Sequence, residues 1–243
     1  MRLNEGGKLR VPWGYVAALQ SDPIEKKPFF HVLPGSNALT FGMLGCDFHC
    51  GYCQNWLTSQ AMRDPNSDVS ANYIRRITPE RMLQAAQDSN ASLVVSSYNE
   101  PLITSEWAVA IFKEAKAAGL MCAYVSNGNT TPEVMEYLRP YLSAYKIDLK
   151  CMQDKNYRKL GGVLQNTLDG IQRAHHLPQA QTRAGVPGGL ARQLAARVVA
   201  DVAGRRPHRA TEGRSKLPRT LGEILLRDAD ARTLEAIEAP RVL

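Results

Sequence analysis

The chain has 243 residues, of which 44% are apolar and 22% charged, and its formal net charge is +7. These values are ordinary for a globular protein, and no apolar run approaches the roughly 18 residues of a membrane helix. A membrane protein is therefore not expected, and we predict a cytoplasmic protein. The positive charge would suit a nucleic-acid-binding protein, but its distribution along the chain argues against that function.

The composition of the chain changes near residue 177. Residues 1–177 contain 18 basic and 16 acidic residues, whereas residues 178–243 contain 12 and 7. The second segment has 11 Arg but one Lys, is rich in Ala, Gly and Pro, and has no Phe, Tyr, Trp, Met or Cys. Such a shift predicts a boundary. We expect residues 1–177 to form the core, and residues 178–243 to be an atypical tail, either disordered or produced by a changed reading frame.

Strand-like and helix-like segments alternate after a polar N-terminal arm. Apolar or β-branched runs predict strands at residues 38–44, 93–98, 121–125 and 144–149. Capping residues and apolar periodicity predict helices that begin at Thr78, Ser105, Thr131 and Gln165. Four strand–helix units favour an α/β fold with parallel strands and right-handed crossovers, as in a (β/α) barrel.

Three cysteines in eight residues, Cys46, Cys50 and Cys53, follow the first predicted strand. Three thiolates on one loop can hold three corners of a [4Fe–4S] cluster and leave the fourth iron open to a small ligand. A disulfide framework does not suit an odd total of five cysteines. A zinc site stays open as an alternative, although His49 lies too close to its neighbours for paired knuckles. We expect the other two cysteines, at positions 122 and 151, to be buried small apolar residues.

Polar residues follow the second and third predicted strands. Asn99 and Glu100 offer an amide and a carboxylate that can receive an ammonium group through charge-assisted hydrogen bonds. Ser126 and Asn127 precede Gly128, where the backbone can approach a ribose or a carboxylate closely. Plain turns are the alternative interpretation of both segments.

Asp148 and Lys150 end the fourth predicted strand. Residues two apart in a strand share one face, so both side chains are expected to point into a barrel mouth. Lys150 can then hold an anionic group of a ligand. The alternative is a surface ion pair that contributes little.

The cysteine spacing, with Tyr52 directly before the last cysteine, resembles the signature of the radical S-adenosylmethionine (SAM) enzymes. Further segments are similar to the AmmeMemoRadiSam-system branch, which is related to pyruvate formate-lyase activating enzyme. The resemblance covers about residues 8–177. Its segments are residues 22–28 (DPIEKKP), 53–56 (CQNW), 98–101 (YNEP), 127–128 (NG), 147–150 (IDLK) and 156–162 (NYRKLGG).

The resemblance implies a partial (β/α) barrel of the radical SAM type, incomplete at its C-terminus because two further strands are expected there. It implies one [4Fe–4S] cluster on the three motif cysteines, and reductive cleavage of SAM to a 5′-deoxyadenosyl radical that abstracts a hydrogen atom. An electron donor such as flavodoxin or ferredoxin is implied, with an unknown substrate for which a protein glycine is one candidate. The implied catalytic residues are Lys150 and Asp148, and the implied cofactor-binding residues are Asn99, Glu100, Ser126, Asn127 and Tyr52.

Two other functions are compatible with parts of the sequence. A degenerate protein would bind iron or zinc without turnover and produce no 5′-deoxyadenosine. A nucleic-acid-binding module would use the Arg-rich tail and show strongly salt-dependent affinity. The tail has no aromatic residue to stack on a base, which disfavours the second option.

Overall fold

The structure is a computed structural model and describes residues 2–65 and 74–175. Its strands are β1 (Leu3–Glu5), β2 (Lys8–Arg10), β3 (Tyr15–Val16), β4 (Ala18–Pro23), β5 (Asn37–Gly42), β6 (Arg75–Arg76), β7 (Ala91–Ser96), β8 (Met121–Ser126) and β9 (Ala144–Ile147). Its α-helices are α1 (Trp56–Ser59), α2 (Pro79–Asp88), α3 (Ser105–Ala117), α4 (Pro132–Leu138), α5 (Asp154–Lys159) and α6 (Leu164–His175). The predicted boundary near residue 177 and the tail lie outside the described residues.

The central sheet has five strands in the order β4-β5-β7-β8-β9. The last four are parallel neighbours, which confirms the four predicted strands and the α/β fold. The prediction of parallel strands is incomplete at the first edge, where β4 runs antiparallel to β5 and Ala18 lies opposite Gly42. Only residues 24–36 connect these two strands, and an antiparallel pair needs no helical crossover. The sheet forms a partial barrel.

Helix capping explains two of the helix starts. Thr78 and Thr131 each accept a hydrogen bond from the backbone three residues later, and each precedes a proline at the first helical position. The predicted starts of α2 and α4 are therefore confirmed. The prediction that Ser105 caps α3 is wrong, because Ser105 is already the first helical residue and its hydroxyl donates to the Leu102 carbonyl at 2.9 Å.

Two apolar clusters cover the two faces of the sheet. One packs α2 and α3 against alternate strand residues, including Leu39 and Val94. The other lies on the opposite face and includes Leu93, Val95 and Ile24. Because side chains alternate between faces along a strand, the register of each strand decides which residues enter which cluster. None of the helices within the described ranges combines the length and the apolar character needed to cross a bilayer.

The carboxyl ends of the parallel strands meet at one edge of the sheet. Gly42, the last residue of β5, shows how closely the strand ends approach there. A Cβ atom on Gly42 would lie 2.4 Å from the Ser97 carbonyl oxygen, so only glycine fits without a shift of the backbone. The predicted site residues all lie at or after these strand ends, and parallel barrels carry their chemistry at this edge.

Candidate active site at the carboxyl edge of the sheet

The three motif cysteines lie on one loop, which begins shortly after β5. Cys50 is buried, whereas Cys46 and Cys53 are half-buried. All three pack in one apolar cluster that also contains Phe48 and Tyr157. The loop therefore combines three thiols with an apolar wall that limits the access of water.

The donor set fits an iron–sulfur cluster. Within residues 2–65 and 74–175, no three side chains of His, Cys, Asp or Glu converge closely enough to hold a single metal ion. A cubane cluster has a different requirement, because each thiolate binds a separate iron. Cys53 also has a hydroxyl partner, since its Sγ lies 3.0 Å from the Ser59 Oγ. Three thiols on one half-buried loop match three of the four irons of such a cluster.

The surroundings of two of the motif thiols, Cys46 and Cys50, raise their pKa values. Burial raises the pKa of Cys46 to about 12, and the Glu100 carboxylate adds to this shift. Burial also raises the pKa of Cys50, although the nearby Lys150 ammonium opposes that shift. Thiols bind metal as thiolates, so cluster assembly on this loop must release protons.

Arg63 supports the cysteine loop from outside the predicted motif. Its Nη1 donates to the Phe48 carbonyl at 2.9 Å, and its Nη2 donates to the Cys46 carbonyl. The Gln60 side-chain amide donates to the same Phe48 carbonyl at 3.0 Å. Sequence reasoning missed both residues, because nothing in the pattern of residues 60–63 indicates where their side chains lie.

Glu100 is 2% exposed and bridges the ends of two strands. Its carboxylate accepts hydrogen bonds from the Ser126 hydroxyl at 2.7 Å, from the Asn127 backbone amide at 2.7 Å and from the Leu102 backbone amide at 3.0 Å. Both carboxylate oxygens are therefore already hydrogen-bonded within the protein. These hydrogen bonds join the end of β8 to the end of β7, and the predicted contact of Glu100 with a cofactor stays a prediction.

The pKa of Glu100 is raised to about 8, from an ordinary value near 4.5. Burial is the largest cause, and the neighbouring Asp47 carboxylate adds to it. The hydrogen bonds from Asn127, Leu102 and Ser126 act in the opposite direction because they favour the charged form. Desolvation prevails over these donors, so the site contains a carboxyl group that titrates near neutral pH.

Asn99, the residue before Glu100, is also buried, and its side chain forms hydrogen bonds with backbone groups. Its Oδ1 accepts a hydrogen bond from the Met43 amide at 3.0 Å, and its Nδ2 donates to the Glu100 carbonyl at 3.1 Å. Asn99 thereby joins the end of β7 to the residue that follows β5. Its predicted contact with a cofactor stays a prediction.

Asn127 connects the strand ends to the cysteine loop. Its side-chain amide donates to the Asp47 carboxylate at 2.7 Å, while its backbone amide donates to Glu100. Asn129 donates to the other oxygen of Asp47, also at 2.7 Å. Asp47 and Asn129 were not predicted as site residues, because their contact spans 82 residues of sequence.

Asp148 and Lys150 lie beyond the end of β9 and form an ion pair, as one of the two interpretations predicted. The Lys150 Nζ is 2.9 Å from one oxygen of Asp148, and the Lys146 Nζ contacts the other. The side chains of Asp148 and Lys150 are 27% and 25% exposed. This pair is half-buried at the edge of the sheet, so a ligand can reach it.

Tyr52 is the most exposed of the predicted cofactor-binding residues, with 55% of its surface open to solvent. Partial burial raises the pKa of its hydroxyl, and both Cys50 and Lys150 influence that pKa. Tyr52 is part of the cysteine loop, and the fold brings it near Lys150, which follows β9. Its predicted role stays a prediction.

The two cysteines outside the motif differ from each other. Cys122 is fully buried in β8, as predicted. The prediction is wrong for Cys151, which is only partly buried and accepts a hydrogen bond from the Asn156 side-chain amide at 3.3 Å. This hydrogen bond is the largest of the effects that lower the pKa of Cys151. Its position after β9, beyond the sheet, explains why strand periodicity did not apply.

Comparisons with known proteins identify the family. A profile of the Radical SAM superfamily, whose members generally use a [4Fe–4S] cluster and SAM, matches residues 41–188. An uncharacterized protein of Methanocaldococcus jannaschii is 30% identical over 167 residues, which are 69% of this chain and 48% of that protein, so the chain spans about half of that relative's length. The crystal structure of QueE from Escherichia coli aligns with a TM-score of 0.39 and 13% identity over 64% of this chain and 66% of that one. Because the profile covers more than half of the chain, including the cysteine loop and the ends of all four parallel strands, the chain belongs to the radical SAM superfamily.

Proposed function

We propose that this chain binds a [4Fe–4S] cluster on Cys46, Cys50 and Cys53 and uses it to cleave SAM reductively. The observation that carries the proposal is the proximity of the Lys150 ammonium, paired with Asp148, to the buried Cys50 thiol, on a loop that also holds the half-buried Cys46 and Cys53. When bound, the two cofactors supply an electron and a 5′-deoxyadenosyl radical that abstracts a hydrogen atom from the substrate. The residues of the chain bind, orient and shield them.

Lys150 and Asp148 have complementary tasks in this proposal. The Lys150 ammonium donates to a carboxylate, and the Asp148 carboxylate accepts from an ammonium, so the pair matches the two charged groups of an amino acid. The partial exposure of Asp148 and Lys150 supports this assignment, because a ligand can reach both side chains from solvent. The apolar wall around Cys50 would exclude water while a reactive species exists.

Ser126 and Asn127 have a different role in this proposal. Ser126 is buried and donates to Glu100, and it also lies 3.1 Å from the Tyr145 hydroxyl. Their polar groups are held in a fixed arrangement next to the cysteine loop. We expect this preorganised arrangement to receive the ribose of SAM, with Glu100 holding Ser126 and Asn127 in place.

The proposals for the substrate and the partners depend on the sequence resemblance. We propose a place in the AmmeMemoRadiSam-system branch related to pyruvate formate-lyase activating enzyme, supported by the Asp148–Lys150 motif. A protein glycine is then the candidate target, although fold alone does not determine function. A one-electron donor such as flavodoxin or ferredoxin would supply the cluster in the cytoplasm, where free thiols such as these persist.

Anaerobic reconstitution tests the proposal. We expect the full chain to bind iron and sulfide, to give a reduced-cluster EPR signal that changes when SAM is added, and to release 5′-deoxyadenosine. Cys50→Ala should abolish the cluster, whereas Cys151→Ser, which removes a neighbouring thiol outside the motif, should keep it. A cluster without a SAM response would indicate a degenerate metal-binding protein. Equal cluster loss in both variants would contradict the ligand assignment.

A further inference from the structure

Asp47 lies on the cysteine loop and links it to the end of β8. The proposed function assigns no role to this residue. It follows the first motif cysteine directly and is half-buried. Its Oδ1 accepts a hydrogen bond from the Asn127 side-chain amide and its Oδ2 accepts one from the Asn129 side-chain amide, each at 2.7 Å. The Cys46 thiol is a longer, second donor to Oδ1, with its Sγ at 3.7 Å. Asn127 is itself buried, with 5% of its surface exposed.

These contacts are part of a closed ring of hydrogen bonds. The Glu100 backbone amide donates to the Gly45 carbonyl at 3.2 Å, and the Glu100 carboxylate accepts from the Asn127 backbone amide at 2.7 Å. The Asn127 side chain returns to Asp47, two residues after Gly45. The ring links segments that follow β5, β7 and β8, so the loop position is tied to both neighbouring strand ends.

The two hydrogen bonds from the Asn127 and Asn129 side chains to Asp47, here called the Asp47 clamp, require a carboxylate at position 47. An ionised carboxylate only accepts hydrogen bonds, and a primary amide donates through its nitrogen. Two amide nitrogens aimed at the two oxygens of one carboxylate therefore form a complementary set with charge-assisted hydrogen bonds. An asparagine at position 47 would present one NH2 group to another NH2 group.

We propose that Asp47 is a positioning residue that holds the cysteine loop against the end of β8, so that a cluster on the loop meets SAM bound at the strand ends. This inference rests on the proposed function and goes beyond it by naming the residue that couples the two cofactor sites. Asp47 acts through Asn127 and Asn129 and needs no contact with SAM.

A reciprocal swap tests the clamp. Asp47→Asn leaves two NH2 groups facing each other, and Asn129→Asp leaves two carboxylates facing each other. The double variant Asp47→Asn/Asn129→Asp restores one donor for each acceptor. Asp47→Asn and Asn129→Asp change the net charge by +1 and −1, so the double variant keeps the charge of the natural chain.

The first readout needs no cofactor. Urea unfolding of the full-length apo-protein should show both single variants less stable than the natural chain, with the midpoint of the double variant recovering toward it. This double-mutant cycle measures the coupling between the two positions. Additive effects of the two substitutions would overturn the clamp.

The second readout is specific to the positioning role. We expect the reconstituted single variants to retain iron and the reduced-cluster EPR signal, but to bind SAM at least tenfold more weakly in an EPR titration. The double variant should recover SAM affinity to within about threefold of the natural chain. Wild-type affinity in the single variants, or no recovery in the double variant, would overturn the inference. A natural chain without cluster or SAM response would instead contradict the proposed function, while the apo-protein cycle still tests the clamp.

Discussion

Glu100 and Asp148 are carboxylates beyond the ends of β7 and β9, the two strands that flank β8, but the fold uses them differently. Glu100 is 2% exposed and accepts from two backbone amides and one hydroxyl. The Asp148 side chain is 27% exposed and faces two lysine ammonium groups. Backbone donors hold the Glu100 carboxylate in place, whereas Asp148 contacts the buried Lys146 on one side and the partly exposed Lys150 on the other, where we expect a ligand to reach it. The same functional group at the same edge of the sheet is thus enclosed by protein donors in one place and accessible to solvent in the other.

Glu100→Ala provides the strongest test of this contrast. The substitution leaves two backbone amides and a hydroxyl without their acceptor in a buried region, and each such loss costs about 1–3 kcal/mol. We expect the free energy of unfolding to fall by about 3–5 kcal/mol in urea denaturation. Glu114→Ala, at a half-buried position on α3, should change it by less than about 1 kcal/mol. A loss below about 1 kcal/mol for Glu100→Ala would contradict its scaffold role.

The pH dependence of stability sharpens the comparison. Because the pKa of Glu100 is raised to about 8 in the fold from about 4.5, the folded protein binds more protons than the unfolded chain between these pH values. The free energy of unfolding should therefore decrease as the pH rises through this window, by at most about 1.4 kcal/mol per pH unit. Urea unfolding of the apo-protein from pH 5 to pH 9 measures the slope. Glu100→Gln should flatten it, and an unchanged slope would assign the titration to another group.

Lys150→Ala should show the opposite pattern to Glu100→Ala. Its ion pair with Asp148 is partly exposed, so the free energy of unfolding should change by less than about 1 kcal/mol. SAM affinity of the reconstituted protein should fall tenfold or more, which corresponds to about 1.4 kcal/mol. Lys155→Ala removes the same charge from an exposed position on α5 and is the matched control. Equal effects of the two variants on SAM affinity would contradict a binding role for Lys150.

Tyr157→Phe should have the smallest effect. Tyr157 is fully buried, and its hydroxyl accepts a hydrogen bond from the Lys150 backbone amide at 3.0 Å. Removing the hydroxyl should lower the free energy of unfolding by about 1 kcal/mol. The accompanying loss of SAM affinity should be smaller than that of Lys150→Ala and should vanish in the Lys150→Ala background. A persistent effect there would show that Tyr157 does not act through Lys150.

Two helix starts that depend on local sequence were predicted correctly. Thr78–Pro79 and Thr131–Pro132 begin helices because the cap and the proline act within one turn. The antiparallel strand β4 was missed because its residues are half-buried or exposed and show no clean apolar alternation. Ser105 was assigned as a cap because sequence reasoning did not anticipate the 3-10 turn at Pro101–Thr104 before α3.

In the candidate site, too, some residues could be predicted from the sequence and others could not. The cysteine spacing and the polar residues after each parallel strand were visible in the sequence, since carboxyl ends of parallel strands meet at one edge. Asp47 and Arg63 were missed, because the Asp47 partners lie 80 and 82 residues away and Arg63 reaches back 17 residues to Cys46. Helix and strand periodicity relate residues only a few positions apart, so no sequence pattern indicates contacts over such distances along the chain.

The sequence by itself determined which chemical groups reach the edge of the sheet: three thiols, amides, carboxylates and a lysine after predictable strands. The tertiary structure decided what each group does there. Glu100 is buried among backbone donors from residues 102 and 127, whereas Asp148 is left half-exposed between lysines. Desolvation and hydrogen-bond partners set the pKa and the availability of a carboxylate, and both depend on neighbours that are distant in sequence.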